Sequence, residues 1–175
     1  MSNAARGDGL SVEGGQASEQ SSIFLTLSLE HGAIASLFDR AVVCEDRAEL
    51  AVLAKRLRIE LLAHARGEEL TFYPLLATRE RTANLVVGHQ QEHASIKTKF
   101  EELDGLALGS DEWRERFVAL RDTVQHHLTD EESLLFPHAL EVFSAEEAAR
   151  AGEAYQRERQ AEHLALLKHA SVPGK

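Results

Sequence analysis

Two stretches of the chain carry the same metal-capable side chains in the same order. The run from His64 to Pro74 aligns without a gap on the run from His127 to Pro137, pairing Glu68 with Glu131, Glu69 with Glu132, Tyr73 with Phe136 and the two prolines. Residues four apart on an α-helix share a face, about 6 Å from one another, so His64 with Glu68 and His127 with Glu131 each offer an imidazole beside a carboxylate. Both pairs continue apolar stripes at helical spacing, Leu57, Leu61, His64, Glu68 and Phe72 in one case and Leu120, Val124, His127, Glu131 and Leu135 in the other, and therefore point into a core. An ionised glutamate buried without a partner costs several kcal/mol, and neither stripe carries a Lys or Arg at that level. His31, His89 and His93 fall on comparable inward positions of two further helical stretches. Neutral imidazoles beside carboxylates form a nitrogen and oxygen donor set for a transition metal, with iron, manganese, zinc and copper all open on donor type. The five histidines and two glutamates suffice for two metals sharing the carboxylates.

The repeat extends to the other two stretches, since Glu30, His31, Ile34 and Phe38 match Glu92, His93, Ile96 and Phe100. It breaks where Leu27 stands in the place of His89. With His89, His93 and His127 on one metal and His31 and His64 on the other, the second metal is a ligand short, and the open position beside Leu27 is an expected entry point for a small molecule. His126 is expected to face outward, and His138, His163 and His169 lie beyond the stripe. Glu69 and Glu132, about 100° around the helix from the central glutamates, either accept the outer imidazole N–H groups or are plain surface charge. Tyr73, Phe136 and the prolines after them are expected to end or kink their helices, with the Tyr73 hydroxyl available to a bound ligand.

These residues need helices to position them. Periodicity predicts one helix over 22–43, a second starting after Asp46 and ending near Pro74, a third over 81–103 closed by Asp104, Gly105 and Gly109, and a fourth capped by Ser110 or Asp111 and reaching Pro137. Ser144 with Glu147 forms a capping-box pattern ahead of a fifth helix to about residue 169, expected outside the bundle with Glu147, Arg150, Arg157 and Arg159 on a solvated face. The predicted fold is all-α, an antiparallel up-down four-helix bundle built from two similar helix hairpins, plus this C-terminal helix. Residues 1–21, rich in Gly, Ser and Gln, are expected to be disordered, so the chain divides into 1–21, a bundle over 22–140, and a helix and tail over 141–175.

Lys and Arg number 19 against 29 Asp and Glu, a formal charge of -10, which disfavours nucleic acid and anionic membrane surfaces as partners. Apolar runs fall far short of the roughly 20 residues that span a bilayer, and the expected location is cytoplasmic. The single cysteine, Cys44, has no disulfide partner within the chain and reads as a small buried residue.

The motif set over roughly residues 22–140 resembles the hemerythrin-like, His-His-Glu cation-binding family. The resemblance implies a four-helix bundle around an oxo- or hydroxo-bridged di-iron centre, with manganese or zinc as other possible occupants, ligated here by His31, His64, Glu68, His89, His93, His127 and Glu131. It further implies binding or sensing of dioxygen, nitric oxide or iron in a stress response. Other expectations are a di-iron enzyme that consumes peroxide or nitric oxide or donates iron for repair, and a metal-free scaffold recruiting a protein partner through the C-terminal helix. Oxygen carriers of the family place an Asp five residues after the last histidine. Glu131, four after His127, is closer to the bacterial stress-related branches.

Overall fold

The structure is a computed structural model that describes residues 22–170, so the reading of residues 1–21 lies outside the described residues. Helix α1 spans Ile23–Val43, α2 Arg47–Gly67, α3 Tyr73–Ala77, α4 Ala83–Asp104, α5 Asp111–Asp130, α6 Phe136–Val142 and α7 Ala145–Ala170. Side chains fix the starts: Ser22 accepts from the Leu25 N–H, Asp46 from Glu49 and Ser110 from Trp113. The capping box of α7 forms as its sequence predicts, with Ser144 N–H donating to Glu147 Oε2 at 2.9 Å and Glu147 N–H to Ser144 Oγ at 3.2 Å. Gly109, at φ +75°, supplies the left-handed residue that turns the chain into α5.

Helices α1, α2, α4 and α5 run up and down as a bundle whose core has two apolar layers. One gathers Leu37, Phe38, Leu57, Leu61, Phe100, Phe117 and Leu120, and the other Ile23, Leu27, Phe72, Leu76, Val86 and Leu135. The histidines and glutamates of the repeat lie between these layers in every helix.

Two features depart from the sequence reading. The helices do not end at the prolines. A π-helical turn over Glu68–Phe72 joins α2 to α3, and one over Glu131–Leu135 joins α5 to α6. Pro74 and Pro137 have no N–H to give, and the wider turn carries the helix past them, with Tyr73 N–H bonding Glu68 O and Phe136 N–H bonding Glu131 O. The extra residue rotates the helix, so Phe72 and Tyr73 are both buried, as are Leu135 and Phe136. Second, α7 is no appendage: it lies along α1 and α2 and buries Ala148, Ala151 and Tyr155. Of its expected solvated face, Arg150 and Arg157 are exposed, but Arg159 is largely covered and paired with Glu30 and Glu60.

Candidate metal centre

Six of the seven predicted residues converge. His31, His64, Glu68 and Glu131 form one cluster, and Glu68, His93 and His127 another, with the donor atoms of each cluster within 4.8 Å of one another. Glu68 Oε2 lies 3.3 Å from both His64 Nε2 and His93 Nε2, so this carboxylate belongs to both clusters. Glu131 Oε2 lies 3.4 Å from His31 Nε2. His89 is buried but meets the group from its edge, with Nδ1 3.2 Å from Glu92 Oε2 and 3.4 Å from His127 Nδ1. His126 is 68 % exposed and pairs with Asp130, while its neighbour His127 faces inward.

Each converging imidazole is held from behind. Nδ1 of His31 is 2.8 Å from Glu132, that of His93 is 3.1 Å from Glu69, and that of His127 is 2.8 Å from Glu92. His64 Nδ1 is 3.2 Å from Glu30 and 2.8 Å from the Tyr155 hydroxyl. Ionised carboxylates only accept, so a ring nitrogen against one carries the proton and leaves Nε2 with a lone pair facing inward. The interior therefore gathers imidazole lone pairs around two carboxylates. His31 Nε2, His64 Nε2 and all four oxygens of Glu68 and Glu131 are buried without a hydrogen bond. His93 Nε2 and His127 Nε2 stand 3.0 Å apart, the spacing of two nitrogens each about 2.1 Å from one metal at right angles. The Tyr73 hydroxyl reaches the rim, 3.4 Å from His93 Nε2.

Electrostatics follow from this crowding. Burial, and then the neighbouring Glu131 charge, push the Glu68 carboxyl well above the usual carboxylate range. Burial would raise Glu131 too, but the facing imidazoles, His31 foremost, outweigh it and hold it low. His64 is driven down to about 4, chiefly by burial, and stays neutral at physiological pH. Burial lowers His31 as well, yet Glu131 and Glu132 more than compensate and raise it. This is an acceptor-rich, negatively biased layer, and the donor set fits a divalent metal.

Leu27 is fully buried in its apolar layer. A surface cleft of about 310 Å³ runs between α1 and α5, lined by Gly32, Ala35, Asp39, Arg121 and Gln125, with His31 and Glu132 in its wall.

The sequence reading left Glu69 and Glu132 open between outer support and surface charge, and in the structure both accept from histidines. It missed Glu30 and Glu92 in the same role, although their pairing across the repeat was a signal for it. It also missed Tyr155 and Arg159, which no repeat marks.

Comparison with known proteins places this geometry. The family model described as hemerythrin HHE cation binding domain matches residues 23–139. Among solved structures, an HHE cation binding domain-containing protein, the Rv2633c homolog from Mycobacterium kansasii, superposes with a TM-score of 0.78 at 20 % identity, covering 88 % of this chain and 94 % of that one. At that identity the likeness shows the fold alone. A search of curated proteins finds no match.

Proposed function

The chain belongs to the hemerythrin HHE cation-binding domain family, and from that membership we propose that it is a non-haem di-iron protein that binds or senses dioxygen or nitric oxide. The observation that carries the metal reading is the interior of inward lone pairs and unpartnered carboxylate oxygens, which a divalent cation would satisfy. His31 and His64 would hold one iron and His93 and His127 the other, with Glu68 and Glu131 shared between them and His89 completing the second set. Iron rather than manganese or zinc rests on the family resemblance, as does a stress-response role. When bound, a di-iron pair supplies reversible electron transfer to a small ligand. The chain's own residues keep the imidazoles neutral and oriented, exclude water with the two apolar layers, and offer the Tyr73 hydroxyl at the rim as a hydrogen-bond donor.

The test is metal content of anaerobically purified protein with its visible spectrum before and after air. About two irons per chain and a new near-ultraviolet to visible band on oxygenation are expected. No bound transition metal, with folding unchanged by added ferrous iron, would make the histidine layer structural and overturn the reading.

A further inference from the structure

The fifth helix reaches the metal layer on one side only. We propose that Tyr155 of α7 is a positioning residue for the metal on His31 and His64, and that α7 thereby makes the two halves of the repeat inequivalent; this rests on the di-metal reading above. Across the repeat, Glu30 corresponds to Glu92 and His64 to His127. On the second side the contact is direct, with His127 Nδ1 donating to Glu92 at 2.8 Å. On the first side Tyr155 stands in the path. Its hydroxyl is 2.8 Å from His64 Nδ1 and 2.5 Å from Glu30 Oε2, while the direct Glu30 to His64 distance is 3.2 Å. The shorter route has His64 N–H donating to the phenol oxygen and the phenol O–H donating to Glu30. Arg159 Nε donates to the same Glu30 oxygen at 2.7 Å, and its other end donates to Glu60 at 2.6 Å. Among the described residues Glu92 meets His127 and His89, and no arginine takes the corresponding place.

The contact is built from both partners. Tyr155 is fully buried, and its ring lies over Gly67, where an added Cβ would sit 2.7 Å from ring carbon Cε2 and 3.3 Å from Arg159 Cβ. A glycine inside a helix is unfavourable against alanine, and here its bare surface is what admits the ring. Gly67 also directly precedes Glu68 and the first π-helical turn. A tyrosine hydroxyl used twice, beside a metal-facing imidazole and over a glycine, orients that imidazole as well as packing the helix.

Tyr155→Phe removes the hydroxyl and keeps the ring. Outer hydrogen-bond partners of metal-ligating histidines are worth about 10- to 100-fold in metal affinity, so one site should weaken by that factor while the other keeps its wild-type affinity. The experiment is an anaerobic titration of the full-length apoprotein with Fe²⁺ against a competing chelator, with the Co²⁺ ligand-field spectrum as a second readout of the altered site. Gly67→Ala, which displaces the ring and touches no hydrogen-bonding group, should weaken the same site. Arg159→Gln, which approaches Glu30 from the partly exposed side, supplies a third reading should either variant fold poorly. Wild type binding two ions with Tyr155→Phe leaving both affinities within twofold would reduce Tyr155 to packing and overturn the proposal. Equal weakening of both sites would overturn the inequivalence. A wild type that binds no metal would sink the di-metal reading and this inference with it.

Discussion

Glu68→Gln separates a metal-site carboxylate from a structural one, because the two roles move stability in opposite directions. Glu68 and Glu131 are both fully buried, and burial with the Glu131 charge lifts the Glu68 carboxyl well above its usual range. In the metal-free chain that carboxyl opposes folding, and an amide of the same shape relieves it. Replacing a whole buried ion pair by apolar residues of similar volume is often neutral or stabilising by about 1–4 kcal/mol, which sets the scale for neutralising Glu68. A middle value of about 2.5 kcal/mol, at roughly 2–4 °C per kcal/mol for a domain of this size, raises the apoprotein Tm by about 5–10 °C. Metal binding should move the other way. One oxygen of Glu68 lies 3.3 Å from a histidine of each cluster, so the substitution weakens both sites together, unlike any outer-partner variant. The assay is thermal unfolding by circular dichroism, with chelator and then with Fe²⁺ under argon. Wild type should gain about 2.7 kcal/mol per occupied site from Fe²⁺ at 100 times Kd, and Glu68→Gln little. A variant less stable than wild type without metal, and still stabilised by Fe²⁺, would refute the reasoning and make Glu68 a structural acceptor.

Adjacent histidines give a sharper control. His127→Ala should lose metal from its cluster while His126→Ala, at a 68 % exposed position, keeps wild-type content, as read by elemental analysis of the purified variants; equal content in both would remove His127 from the site. A pH profile tests the outer carboxylate Glu69. Burial alone would raise it, but the His93 hydrogen bond and Lys97 outweigh burial and bring it down to about 2. A depressed carboxylate contributes stability that is complete above its unfolded value of about 4.5 and lost as pH falls toward 2. In urea unfolding of the apoprotein, Glu69→Gln should therefore be less stable than wild type at pH 6, and the gap should close between pH 4.5 and 2; a gap independent of pH would mean the side chain acts by packing alone.

Helical periodicity made the inner histidines and glutamates legible because they sit where an apolar side chain would otherwise be. Leu57, Leu61 and Phe72 establish which face of α2 is buried, and His64 and Glu68 inherit that face. The repeat strengthened this reading by requiring that Glu131 match Glu68, which selects His127 over His126. Periodicity failed where the backbone leaves 3.6 residues per turn. Pro74 and Pro137 read as helix ends, yet a donor missing from an α-helical ladder is equally compatible with a π-helical turn, and only the burial of both Phe72 and Tyr73 reveals the phase change.

The docking of α7 was hidden for a different reason. Its inward face is Ala148, Ala151 and Tyr155, and alanines bury so little area that the stripe is faint beside the flanking Glu and Arg residues. Small residues nonetheless let helices approach closely, and the matching surface on α2 is Gly67, which contributes no hydrophobic signal. Self-comparison has a further blind spot, since a repeat describes only what two halves share. The features that distinguish the halves, Leu27 in the place of His89 and a C-terminal helix on one flank, are departures from the repeat or lie outside it. A chain with two nearly identical metal-capable hairpins would by itself yield two nearly identical half-sites. Besides His89 against Leu27, the asymmetry resides in Tyr155 and Arg159, which brace Glu30 and His64, whereas Glu92 and His127 are met by His89. On the di-metal reading, part of the difference between the two metals would therefore be set from outside the repeat, by side chains that never enter the inner layer.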